Sequence, residues 1–210
     1  MFLRGCFLGI FLLLNQLTIS SQNDRAILVF HDGSTVEGYG KLKSQDRVKF
    51  RKSKQDKAIK YHFRDLKKVT IYNDYAETIY VYQKIKGKKM YEVMEVVVVG
   101  EMSLYKKVTH GTHAGGMGAG GFGGAGGVGF GMTTSYTIED YYVKRKDEQE
   151  VTHLGSTDLF SKNFKKAAGG YFADCPSLVK KIQTKEYKKR DIEEIVSYYN
   201  SECNYLKSAR

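Results

Sequence analysis

From Ala26 to Thr109 the chain is a succession of short β-patterned runs, alternating polar and apolar residues over 47–51 and 57–63, and this pattern constrains the chain more than any other feature. A period of two sends successive side chains to opposite faces of a strand, so the stretch predicts a sheet with one face turned to a core. Ala26-Ile-Leu-Val-Phe-His31 runs into Asp32-Gly33-Ser34, whose glycine accepts positive φ, and Thr35-Val-Glu-Gly-Tyr39 returns as the second arm of a hairpin. Residues 47–51, 57–63, 69–72 and 78–82 repeat the pattern. Residues 90–99 and 102–108 form the next pair. The four valines from Val96 to Val99 predict a strand covered on both faces, and Gly100 predicts a tight turn or bulge. The single proline, Pro176, lies outside this region, so nothing interrupts a continuous antiparallel sheet, which could close into a barrel-like form.

Gly111 to Gly131 holds twelve glycines in twenty-one residues, relieved by Met117, Phe122, Val128 and Phe130. Such a tract cannot offset the entropy of ordering its backbone by burying side chains, so it predicts a loop joining two strands of one sheet. Residues 136–145 and 150–154 resume the strand pattern around the polar turn 146–149.

After Gly155 the period becomes helical. Ser156 or Thr157 is placed to cap a helix carrying Leu159, Phe160, Phe164, Ala167 and Ala168, which Gly169-Gly170 weakens or ends. Pro176 suits a first helical position, with Leu178, Val179 and Ile182 on one face. Asp191 and Glu194 have capping-box spacing ahead of Ile192, Ile195, Val196 and Tyr199, which fall on one helical face. The chain therefore reads as α+β: a β-rich portion over 22–155, a helical portion over 156–203, and a frayed tail over 204–210.

The first twenty-one residues set the expected compartment. Arg4 precedes the apolar run Phe7-Leu-Gly-Ile-Phe-Leu-Leu-Leu14, which is too short to span a bilayer, and small and polar residues up to Ser21 follow. This pattern is a secretory signal with cleavage near Ser21 and Gln22 at the mature terminus. A retained anchor fits less well because Asn15 and Gln16 interrupt the run. A lipoprotein fits less well because Cys6 precedes the run. Cleavage leaves Cys175 and Cys203, and two thiols in an oxidising space are expected to pair, clasping the two last helices into a hairpin.

The chain carries a formal charge of +11, or +10 once Arg4 is removed. The charges are spread without a dense cluster, so a solvated basic surface is the leading reading; the excess also suits anionic lipid headgroups or acidic polysaccharide, and export argues against nucleic acid. No motif assigns a catalytic residue, a cofactor or a metal. His110-Gly-Thr-His113 is the only close histidine pair, but no carboxylate or thiolate lies near it in sequence. Gly116-Met-Gly118-Ala-Gly-Gly121 matches the dinucleotide fingerprint formally, yet it leads into strand-like residues rather than a helix. No serine sits in Gly-x-Ser-x-Gly. Met117, Phe122, Val128 and Phe130 are the candidate membrane or partner contacts.

Tyr171-Phe-Ala-Asp-Cys-Pro-Ser-Leu178, followed by residues 187–200, resembles the C-terminal segment of secreted proteins of unknown function from Bacteroidota, especially flavobacteria. The Val29-Phe-His-Asp-Gly-Ser-Thr-Val-Glu-Gly38 hairpin is similar to openings in the same group. The resemblance implies a Gram-negative envelope protein, periplasmic or outer-membrane-associated, and brings no activity with it. A non-enzymatic binding or structural role is the leading expectation, with an envelope protein or an anionic membrane surface as partner. A peripheral membrane factor using the glycine-rich loop is the alternative, and a hydrolase without a familiar motif is third.

Overall fold

The computed structural model describes residues 24–44, 46–114, 133–157 and 164–203. The expected signal peptide, most of the glycine-rich tract and the C-terminal tail lie outside the described residues.

Ten strands form one antiparallel sheet: β1 (Asp24–Phe30), β2 (Thr35–Ser44), β3 (Arg47–Arg51), β4 (Ile59–His62), β5 (Leu66–Tyr72), β6 (Glu77–Lys84), β7 (Tyr91–Val98), β8 (Met102–Ala114), β9 (Thr133–Arg145) and β10 (Thr152–Ser156). Their order is β10-β9-β8-β7-β6-β5-β1-β2-β3-β4. Every neighbour follows in sequence except β5, which returns beside β1 and places the β2–β4 ladder on β1's other edge. The expected barrel-like closure is not found, because β4 and β10 end the sheet and do not pair with each other. A single parallel bridge, Ile85 to Val151, ties the end of β6 to the approach of β10. Closure requires edge strands to meet in register, which local alternation does not specify.

The alternation predicted from sequence appears as three cores. Ala26 and Leu28 of β1, Val48 and Phe50 of β3, and Val69 and Ile71 of β5 meet Phe63 and Leu66 in the first. Met102, Leu104 and Val143 form the floor of the second, which the helices cover. Met94, Tyr105 and Tyr142 meet Ile85 and Val151 in the third. Leu104 and Tyr105 are adjacent on β8, so that strand is covered on both faces. The same holds for Val96 to Val98, where Val97 and Val98 pack against the second core and Val96 against the third, whereas Val99 lies beyond β7 and is exposed.

The helical layer comprises α1 (Phe164–Tyr171), α2 (Pro176–Gln183) and α3 (Ile192–Tyr198), followed by a wide turn over Tyr199–Cys203. Leu178, Ile182, Ile192, Ile195 and Val196 are fully buried, each contributing roughly 1.5–3 kcal/mol of apolar burial. Pro176 opens α2, as its spacing predicts. The Thr157 hydroxyl accepts a bond from Glu139 N–H (2.9 Å) and extends the β10 edge, while the residues just after it lie outside the described ones. Gly169-Gly170 lies in the last turn of α1, which ends at Tyr171. One local expectation is corrected. Asp191 stands before α3 without capping it; its carboxylate accepts instead from Lys188 N–H at 2.8 Å and closes the preceding turn.

Side-chain bonds lock this layer to the sheet. Arg145, at the end of β9, donates to Tyr171 O and Asp174 Oδ1 (both 2.8 Å), and its guanidinium lies 4.6 Å from the Tyr171 ring centroid. Tyr199 Oη donates to Asp174 Oδ2 at 2.6 Å. Asn200 acts as a short strand for Met102: its Oδ1 accepts from Met102 N–H and its Nδ2 donates to Met102 O, both at 2.8 Å. The Gly100 turn exists because of this pairing, since a Cβ there would lie 2.4 Å from Asn200 Nδ2.

Candidate functional site

The candidate site is an open depression of about 500 Å³ where β4 leads into β5, lined by His31, His62, Arg64, Lys67, Tyr82 and Tyr91 over Phe63 and Leu66. It is built around a single 3-10 turn, Phe63–Asp65, between the two strands. Phe63 and Leu66 are each 1% exposed and anchor the turn in the first core, which forces Arg64 and Asp65 outward.

Two histidines grip Arg64 by its backbone. His62 Nδ1 accepts from Arg64 N–H (3.0 Å), and His31 Nε2 lies 3.0 Å from Arg64 O. A carbonyl only accepts, so His31 donates there. His62 Nε2 lies 3.0 Å from Asp46 Oδ2, and because its other nitrogen accepts, the ring is the neutral tautomer with Nε2–H donating to the carboxylate. Asp46 is held in turn by the Ser44 hydroxyl at 2.8 Å. That hydrogen bond leads the causes that keep its carboxyl below the usual range, ahead of the nearby Arg47 charge. His62 thus positions the turn through both ring nitrogens, and His31 does so through Nε2.

The aromatic wall comes from neighbouring strands. Tyr82 of β6 stacks on Tyr91 of β7 with centroids 5.2 Å apart, and the His62 ring meets Tyr82 edge-on at 5.8 Å. Burial raises the Tyr82 phenol above its ordinary value, Asp46 adds to this, and Arg64 opposes it. Tyr91 remains half exposed. Among the described residues, no carboxylate pairs with the Arg64 guanidinium or the Lys67 ammonium, and none lines the cavity. The cavity thus combines two uncompensated cations with a flat aromatic face.

Other groupings offer less chemistry. A groove of about 430 Å³ gathers Ser44, Glu92, Glu95, Lys106, Lys107 and His110. Six of its polar groups are paired among themselves or with neighbours: Lys107 with Glu92 at 2.9 Å, Lys106 with Glu95 at 3.6 Å, His110 Nδ1 with Thr137 Oγ1 at 3.0 Å, and Ser44 with Asp46. On the β9–β10 edge, Asp140 lies 3.3 Å from His153 Nε2 and opposite Ser156 in the ladder. The carboxylate is then the central group, whereas a serine relay needs the imidazole in the middle. Among the described residues, no three His, Cys, Asp or Glu side chains converge on a metal position.

Of the residues singled out from sequence, Cys175 and Cys203 are brought together, with their sulfurs bonded at 2.02 Å and their Cα atoms 5.7 Å apart. The bond joins the start of α2 to the turn after α3, as the hairpin reading expects. Met117, Phe122, Val128 and Phe130 lie outside the described residues. The structure does correct the start of that tract, because Gly111 to Ala114 belong to β8. Beyond Glu139 the β8–β9 ladder continues from Thr109 opposite Ile138 to Ala114 opposite Thr133 with no third strand alongside among the described residues. This two-stranded arm is about 20 Å long at the usual strand rise, and residues 115–132 connect its ends. Tyr136 covers Gly111 across the arm, where a Cβ would meet the ring at 2.2 Å.

The Arg64 cavity was missed at the sequence level because its residues come from four separate segments. The local signal is the run His62-Phe63-Arg64-Asp65-Leu66, in which apolar residues three apart bracket two charges. Comparison with known proteins adds no identity: no family, no curated protein and no solved structure matches the chain.

Proposed function

We propose that this is an exported protein of the Gram-negative envelope with a non-enzymatic binding role, taking an anionic envelope component at the Arg64 cavity. One observation carries the reading: Arg64 and Lys67 stand without ionic partners beside the Tyr82–Tyr91 stack, while both histidines of the site are engaged in positioning the turn. A surface that needed only solubility would not require a charged turn gripped from both sides. The net charge of +11 favours the same class of ligand at longer range. The Cys175–Cys203 bond suits an oxidising compartment.

The test has two parts. Protein recovered from the envelope fraction should begin at Gln22, and an intact Met1 terminus would argue against export by a cleaved signal. Wild type should be retained on immobilised acidic envelope polysaccharide, and the double variant Arg64→Gln/Lys67→Gln should not; equal retention would refute the cavity as the binding site.

A second reading has its own support in the β8–β9 arm, whose ladder runs on to Ala114 opposite Thr133 with no third strand alongside among the described residues. In this reading the protein is a peripheral membrane factor using Met117, Phe122, Val128 and Phe130. Deleting residues 116–130 and measuring binding to anionic liposomes tests it, with unchanged binding counting against the arm.

A further inference from the structure

The geometry points to an acidic saccharide as the ligand of the Arg64 cavity: a pyranose-sized ring bearing a planar carboxylate or a phosphate. This inference rests on the proposed binding role and narrows it to a chemical class.

Three features select that class. First, the turn backbone is fixed at both its N–H and its carbonyl by His62 and His31, so Arg64 emerges from a set position. The side chain itself is exposed, and its guanidinium offers a fork of N–H donors that matches two oxygens of one oxyanion, which an ammonium cannot do. Second, Lys67 lines the same cavity one strand residue beyond Leu66 and adds a second positive charge without a competing carboxylate. Third, Tyr91 is 49% exposed while stacked on Tyr82, which braces the ring and leaves a flat apolar surface to solvent. A sugar offers both complements in one molecule, an apolar ring face and a charged substituent. A cavity of about 500 Å³ accommodates one or two such residues. A simple inorganic anion would leave the tyrosine face unused, and a neutral sugar would leave two cations without a partner.

The experiment is titration calorimetry, with chemical-shift titration where binding is weak, on residues 22–210. The probes are a trigalacturonate, a hexose phosphate, a neutral trisaccharide of matched length and inorganic phosphate. Trigalacturonate or the hexose phosphate should bind, and which of the two binds more tightly identifies the oxyanion. The neutral trisaccharide should bind at least tenfold more weakly. Arg64→Gln should cost about 10–100-fold through loss of the charge-assisted pair. Tyr91→Ala should cost several-fold for the saccharides and leave inorganic phosphate unchanged. Because the Arg64 side chain is exposed, the variant should keep the wild-type unfolding midpoint, which separates lost binding from lost fold. Equal affinity for charged and neutral saccharides, or an unchanged Arg64→Gln variant, would overturn the inference. If the acidic saccharides fail to bind while Arg64→Gln/Lys67→Gln still abolishes retention on envelope polysaccharide, the ligand class is wrong and the binding role stands. If retention is also unaffected, the binding role fails as well.

Discussion

Replacing Asn200 with alanine should loosen the helical layer from the sheet, and a second substitution can show how. The Asn200 amide makes two hydrogen bonds of 2.8 Å to the backbone of Met102, a residue with 0% exposure. At about 1–1.5 kcal/mol net for each bond, with both Met102 groups left to find new partners, Asn200→Ala should cost about 2–3 kcal/mol. For a chain of this size that is a fall in Tm of about 5–10 °C. Gly100→Ala should cost a similar amount by a different route, because its Cβ would sit 2.4 Å from Asn200 Nδ2 and evict the amide. The two costs should not add. In Asn200→Ala the space beside Gly100 is vacated, so the double variant should be only slightly less stable than Asn200→Ala, giving a coupling of about 2 kcal/mol. Urea unfolding of the four proteins measures the cycle. Additive losses, about 4–6 kcal/mol in the double variant, would show that Gly100 is required for some reason other than Asn200, and the proposed link between turn and helical layer would be wrong.

Other consequences can be checked independently. Removing the disulfide by Cys175→Ala/Cys203→Ala opens a loop with a sequence separation of 28, which in the chain-entropy model costs about 3.5 kcal/mol; calorimetry should show Tm lower by about 7–14 °C, and an unchanged Tm would mean the helices are held by packing alone. Burial pushes the Tyr142 phenol up to about 12, with nearby Asp140 and Glu92 adding to the shift. The unfolded chain ionises this group near its ordinary value of about 10, so between pH 10 and 12 the unfolded state binds fewer protons and stability falls as pH rises. Tyr142→Phe should flatten that slope in denaturant titrations across the window, and an identical slope would contradict the assignment. Gly111→Ala should displace Tyr136 and speed amide exchange over 109–112 and 135–138, with the global unfolding midpoint shifted by less than about 0.5 kcal/mol; a large global loss would place the arm inside the cooperative core.

Much of the architecture is legible in local pattern. The alternation around Leu28, Val48 and Val69 announced strands, and the run from Val96 announced a strand covered twice, because both depend only on side-chain period and apolarity. Pro176 marked the start of α2 for an equally local reason. Features set by distant partners were not legible. The Thr157 hydroxyl accepts from Glu139 N–H, a partner that local pattern does not name. Asp191 has capping-box spacing, yet Lys188 N–H is the nearer donor. The open sheet depends on β4 and β10 failing to meet, which no window of sequence records. The Arg64 cavity belongs to the same category: His31, His62 and Tyr91 have no sequence relation that would single them out, and only the turn residues 63–66 carry a local signature.

The central claim is that a gripped cationic turn beside stacked tyrosines forms a specific anion-binding site. Its most direct test is a two-dimensional amide chemical-shift map of residues 22–210 titrated with trigalacturonate. The account predicts saturable shifts concentrated at residues 31, 62–67, 82 and 91, absent in Arg64→Gln. Non-saturating shifts spread over surface lysines, persisting unchanged in that variant, would contradict it.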